Sequence, residues 1–179
     1  MAGAATSLEQ PDRRQVSLNR RNAEMTATTQ HELVLVREMD VPREKIYKAW
    51  TDENSIKEWF VPKPWTIAEA KLDVRPGGSS YVVMQDPDGN KYPNSGVYLE
   101  LVENEKIVFT DAYTSGWVPS EKPFFTAVIL LEDLGNGRTK YTAKALHWRA
   151  EDKEAHEKMG FHEGWGTVAG QLEEYLKRS

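Results

Sequence analysis

From Thr66 to His147 the chain breaks into short, alternating apolar runs, and their punctuation constrains the fold more than any other feature. The runs are Thr66 to Val74, Ser79 to Gln85, Val97 to Val102, Lys106 to Tyr113, Phe124 to Leu131 and Arg138 to His147. Between them stand turn formers: Arg75-Pro76-Gly77-Gly78, Asp86-Pro87-Asp88-Gly89-Asn90, Glu103-Asn104-Glu105 and Gly135-Asn136-Gly137. Parallel neighbours need a crossover of a dozen or more residues, whereas short Gly- and Asp-rich turns join antiparallel ones. The spacing therefore predicts six consecutive antiparallel strands, with one longer loop around Trp117 and Pro119.

The flanks complete the pattern. Leu33-Val34-Leu35-Val36 predicts a first strand. Asp40-Val41-Pro42-Arg43-Glu44 then starts a short helix carrying Ile46, Tyr47 and Trp50, and Thr51-Asp52-Glu53-Asn54 restarts a second with Ile56, Trp59 and Phe60, closed by Pro62 and Pro64. At the far end Trp165, Val168, Ala169, Leu172, Tyr175 and Leu176 form one apolar stripe at helical spacing, with Lys177 and Arg178 at its carboxyl end. Glu151 to Lys158 predicts a separate short helix, with a break near Gly160. The expected class is α+β: a curved seven-stranded antiparallel sheet covered by the long terminal helix, with two short helices after the first strand. Where a curved sheet grips one helix, a gap between them is the natural site.

Residues 1–30 differ from the rest. They hold no aromatic side chain and few large apolar ones, so a disordered tail is expected there, with 31–179 as the single domain. The tail lacks the apolar stretch of a signal peptide, and Met25 is a candidate alternative start. No run of about 18 apolar residues predicts a membrane span. The absence of cysteine excludes disulfides and thiolate chemistry and fits a reducing, cytoplasmic setting. With 23 basic against 28 acidic groups, broad nucleic-acid affinity is not expected.

Motif searches give little. His156-Glu157 and His162-Glu163 start like a zinc-protease helix, but Gly160 and Gly166 occupy the positions of the second His. Asp86-Pro87-Asp88-Gly89 resembles a calcium loop for only four residues. Gly164-Trp165-Gly166-Thr167-Val168-Ala169 matches a dinucleotide string but lacks the preceding strand of a βαβ unit. No metal site and no cofactor are expected. Alternation instead places Ile107, Phe109, Asp111 and Tyr113 on one face, Thr126, Val128 and Leu130 on another, and Tyr141, Ala143, Ala145 and His147 on a third. If these faces line the gap, Phe60, Met84, Phe109, Val128, Met159, Phe161 and Trp165 form apolar walls, with Asp111, Thr126 and His147 as polar anchors. The alternative is that Asp111 and His147 are solvated strand ends. Trp50 is expected in the core, and Trp165 in either role.

Several segments together resemble a known family. Pro42-Arg43-Glu44-x-Ile46-Tyr47-x-Ala49-Trp50-Thr51-Asp52, Trp59-Phe60-Val61-Pro62, Asp73-Val74-Arg75-Pro76-Gly77-Gly78, Met84-x-Asp86-Pro87-Asp88-Gly89 and Met159-Gly160-Phe161-x-x-Gly164-Trp165 resemble, in order, the Aha1-like group of the START/Bet v 1-like (SRPBCC) superfamily. The resemblance spans roughly residues 31–177 and implies a helix-grip fold with a deep cavity. It implies a small hydrophobic ligand as partner, or catalysis of cyclisation and related reactions; in a cyclase- or hydrolase-type enzyme the strand residues Asp111 or His147 would be the general base. It also implies, as a third reading, a chaperone (Hsp90)-related or stress-response interaction module, as a monomer or weak homodimer. The group often carries an aromatic where Ser80 stands, so Ser80 is expected to enlarge or wet the cavity.

Overall fold

Strand β1 (Glu32–Met39) leads through Pro42 into helix α1 (Arg43–Thr51) and directly into α2 (Glu53–Trp59). Asp52 separates the helices: its extended backbone stops the first, and its carboxylate accepts the Ser55 N–H at 2.7 Å to cap the second. The computed structural model describes residues 31–179; the expected disordered tail at 1–30 lies outside the described residues.

Strands β2 (Thr66–Leu72), β3 (Ser79–Gln85), β4 (Lys91–Val102), β5 (Lys106–Thr110), β8 (Thr126–Gly135) and β9 (Arg138–Leu146) join β1 in one sheet. The order is β1-β9-β8-β5-β4-β3-β2, antiparallel throughout, as expected. Register shifts in β2 beyond Ile67 and in β4 beyond Tyr98 mark bulges, which bend the strands and deepen the curve. Two short strands, β6 (Tyr113–Thr114) and β7 (Val118–Pro119), form a separate ribbon.

Several strand boundaries differ from those expected, and three of them bear on the site. β4 begins at Lys91 rather than Val97, despite Pro93, because the Asp86 turn feeds straight into the β3–β4 ladder. That turn is closed from within: the Asp86 carboxylate accepts the backbone N–H groups of Asp88 and Asn90, the Asn90 amide and the Tyr92 hydroxyl. The calcium-like string is thus a self-satisfied turn. β5 stops at Thr110 because the Asp111 carboxylate, accepting the N–H groups of Phe124 and Phe125, replaces the ladder. β8 correspondingly starts at Thr126 rather than Phe124.

Helix α3 (Ala150–Lys158) and helix α4 (Phe161–Arg178) are divided at Gly160, whose φ of 92° suits glycine, so the expected break is where the structure turns. The α4 stripe falls as predicted. Ala169, Leu172 and Leu176 are buried, and Trp165, Val168 and Tyr175 pack against the same core. Trp50 and Trp59 meet edge-on at 4.9 Å beneath it. Two polar side chains fasten α4 down. Gln171 donates to the carbonyls of Trp59 and Val61 at 2.9 and 2.7 Å and accepts the Lys63 N–H at 3.0 Å. Glu173 accepts from Arg37 at 2.9 and 3.2 Å, from the Asp40 N–H at 3.1 Å and from Lys177 at 2.8 Å.

Candidate functional site

The inner face of the sheet is set by register. Phe109 on β5 stands opposite Ala127 on β8, which stands opposite Ala145 on β9; Ile107, Ile129 and Ala143 form the next row. These rows are buried toward α4.

Two adjoining chambers lie above these rows. The larger, about 340 Å³, is enclosed by Met84, Phe109 and Tyr141 of the sheet, His156 of α3, and Phe161, Trp165 and Val168 of α4. Phe60, Val61 and Pro62 close its side, and Gln171 holds that segment through its backbone. Met159, 68% exposed, stands at its mouth. The smaller, about 140 Å³, is reached by Ser80, Tyr98, Gly96 and Asp111. Trp50, Phe60, Met84, Phe109 and Phe125 belong to both. A cavity of about 150 Å³ holds benzene, and ligand pockets begin near 300 Å³, so the larger chamber has the volume of a small ligand site.

The expected wall residues Phe60, Met84, Phe109, Met159, Phe161 and Trp165 all line a chamber. Val128 and Thr126 do not, and the expectation for them is corrected. β8 presents Ala127, Ile129 and Leu131 to the core, so Thr126, Val128 and Leu130 point to the opposite face. The alternation was right and its phase was wrong, because β8 begins after Phe125 rather than at Phe124. Val128 pairs with Val108, and the Thr126 hydroxyl donates to that of Thr110 at 2.9 Å. Trp50, assigned to the core, is both buried and a wall. Tyr113 leaves the sheet for the β6–β7 ribbon.

Asp111 reaches the smaller chamber, with its carboxylate on the Phe124 and Phe125 N–H groups. Burial pushes its pKa up, and those two N–H bonds and the nearby His147 pull it back. His147 is buried at 5% exposure behind the wall, with Nδ1 on the Phe124 carbonyl at 3.0 Å. Its Nε2 meets Nδ1 of His156 at 3.1 Å. His156 was passed over in the sequence because α3 is otherwise polar, with no stripe to flag one inward residue; it is the buried side chain of that helix. Phe124, Phe125, Phe161 and Trp165 surround its ring at 5.2 to 5.9 Å. Burial, and then the field of His147, lower its pKa to about 4, so the ring is neutral near pH 7. Phe125, Tyr141 and Val168 are further lining residues that the sequence reading did not single out. Among the described residues no group of three or more His, Asp or Glu side chains is arranged to hold a metal ion. Nor is any helix there long and apolar enough to cross a membrane.

The model of the family described as Activator of Hsp90 ATPase homolog 1-like protein matches residues 40–177, which contain the sheet apart from β1, the linings of both chambers and nearly all of α4. The chain belongs to this family. The Aha1-like fold recurs in a protein from Nitrosomonas europaea, 46% identical over 82% of this chain and 94% of that one, with a TM-score of 0.79. It recurs at 24% identity in a protein from Mycobacterium smegmatis, over 82% of this chain and 90% of that one, with a TM-score of 0.68. The AHSA1 protein from Silicibacter pomeroyi is 20% identical over 82% of this chain and 97% of that one, with a TM-score of 0.62. No functionally curated protein matches the chain. Ser80 lines the smaller chamber.

Proposed function

We propose that this Aha1-like domain binds a small hydrophobic molecule in the larger chamber. The observation that carries the reading is a hollow of about 340 Å³ walled mainly by aromatic and aliphatic side chains, in a domain otherwise packed around α4. Apolar surface removed from water is worth about 25 cal/mol per Å², so a ligand of two fused rings gains most of its affinity from burial alone. Asp111 fits a structural duty better than that of a base. Both carboxylate oxygens accept backbone N–H groups and fix the loop that carries Phe124 and Phe125.

The test is native mass spectrometry of freshly purified protein, followed by thermal-shift titration with lipids, polyketides and aromatic metabolites. The expected result is a co-purified or titratable ligand whose binding is lost in Phe109→Asp and weakened in Trp165→Ala. Binding unchanged in both variants overturns the assignment to this chamber. A second reading, contact with a chaperone, is favoured by the exposed Tyr113, Trp117 and Val118 on the β6–β7 ribbon. It requires that Hsp90 ATPase respond to this protein and that Trp117→Ala abolish the response.

A further inference from the structure

The His147–His156 pair gives the larger chamber a polarity that its apolar walls alone lack. A carbonyl oxygen only accepts, so the Phe124 carbonyl fixes the proton of His147 on Nδ1. In the arrangement with one proton on each ring, His147 Nε2 is then a lone pair, and the 3.1 Å contact requires His156 Nδ1 to donate to it. Each ring carries one proton, and both are now placed. What remains is His156 Nε2, a bare acceptor.

No protein group among the described residues is hydrogen-bonded to that atom. Among the described residues the buried side-chain polar atoms without a partner are Arg43 Nε, Trp50 Nε1 and Trp59 Nε1. His156 Nε2 has no protein partner and is not one of them, although the residue is only 8% exposed. Aromatic rings pack around the imidazole, and His156 lines the larger chamber, the side from which a ligand would meet Nε2. Tyr141 also lines that chamber, but a hydroxyl donates or accepts, and the unpartnered Trp50 Nε1 on the same wall is a donor that the oxygen of an alcohol, ether or ketone serves alike; neither discriminates among them. His156 does.

We infer that the larger chamber selects apolar molecules bearing a hydroxyl donor, which they deliver to Nε2 of His156, with His147 as the positioning residue that holds this nitrogen unprotonated. This rests on the ligand-binding reading above and narrows it to a class: phenols and alcohols, rather than ethers, ketones or plain hydrocarbons. An acceptor-only analogue would bury two lone pairs against each other and leave Nε2 dry and unpaired.

The experiment compares three probes of one shape, 2-naphthol, 2-methoxynaphthalene and naphthalene, by calorimetry at pH 7. The expected result is 2-naphthol at least tenfold tighter than either analogue, a gap that closes in His156→Phe while naphthalene still binds. His147→Phe should shrink the gap without abolishing naphthalene binding. Nitrogen-15 NMR of the wild-type imidazoles supplies a readout that needs no variant: His156 protonated at Nδ1 and bare at Nε2. Equal affinity for the three probes overturns the donor selectivity and leaves the apolar site standing, as does a His156 ring protonated at Nε2. If none of the three binds, the ligand-binding reading itself falls and this inference falls with it.

Discussion

Replacing Glu173 by Gln probes how α4 is held against the sheet. The Glu173 side chain is 11% exposed, and its carboxylate accepts hydrogen bonds from Arg37, the Asp40 N–H and Lys177. Burial alone would raise its pKa; the donors outweigh it and hold the group down at about 2 against an ordinary 4.5. At 1.36 kcal/mol per pKa unit the difference corresponds to about 3 kcal/mol of native-state preference for the charged form. Arg37 and Lys177 are 40% and 46% exposed, so water screens part of this and roughly 2 kcal/mol is expected to remain. The sign follows from linkage. A folded pKa below the unfolded one stabilises above the unfolded value, and that stability drains away as pH falls through the folded value. Its window here runs from about pH 5 down to about pH 2.

In Glu173→Gln the amide keeps one acceptor for three donors and turns its own N–H groups toward a cation. Urea unfolding at pH 7 should show a loss of roughly 2 kcal/mol, read thermally as about 4–8 °C for a domain of this size. By pH 3 more than half of the gap between wild type and variant should have closed, because the wild type has begun to lose what the variant never had. The exposed neighbour Glu174→Gln serves as the control. A gap that stays constant from pH 7 to pH 3 refutes the argument, since it would show that the loss is one of packing rather than charge.

Other substitutions test the remaining supports. Gln171→Ala, which frees the Trp59 and Val61 carbonyls, should cost about 1–3 kcal/mol in denaturant unfolding and loosen the chamber wall at Phe60. Gly96→Ala should destabilise by about 1–3 kcal/mol, because a Cβ there would strike the Thr110 carbonyl across the β4–β5 ladder. Gly166→Ala should do the opposite: nothing lies within 4 Å of the added methyl, and helix propensity gives about 0.8–1.0 kcal/mol, visible as a raised unfolding midpoint. Phe161→Ala, at a 1% exposed position, should cost about 3–5 kcal/mol, checked by the same unfolding curves.

Turn chemistry made the sheet legible. Gly135-Asn136-Gly137 has three consecutive positive φ angles, and the β8–β9 hairpin follows from it, as the β3–β4 hairpin follows from the Asp86 turn. The α4 stripe was equally plain because each large apolar residue in it had one face to serve. What the sequence concealed was phase. Alternation in β8 is unambiguous, yet which set faces inward depends on where the ladder starts, and that is decided by Asp111 taking the N–H groups of Phe124 and Phe125 from a distance in sequence. His156 was hidden for a related reason. Its partner, His147, sits on the far side of the bend that follows β9, and no local pattern announces a contact formed by tertiary packing. Glu173 and Gln171 looked like ordinary polar positions until β1 and the segment after α2 were brought against them.

The hollow itself carries an energetic argument. In a sealed core, cavity volume costs about 24 cal/mol per Å³; the chamber of about 340 Å³ opens to solvent past Met159, so only part of the corresponding figure applies. Water entering past Met159 lowers the figure, but each water wants two to four polar partners, and the polar side chains on that wall are few, His156 and Tyr141 among them. A chain that keeps glycine at 164 in the helix wall of the chamber therefore forgoes packing that a larger side chain would restore. Clamps such as Gln171 and the Glu173 cluster offset part of that cost without filling the space. An apolar occupant would relieve the rest, and the relief appears as a rise in unfolding temperature with ligand concentration, about 2.7 kcal/mol at a hundredfold excess over Kd.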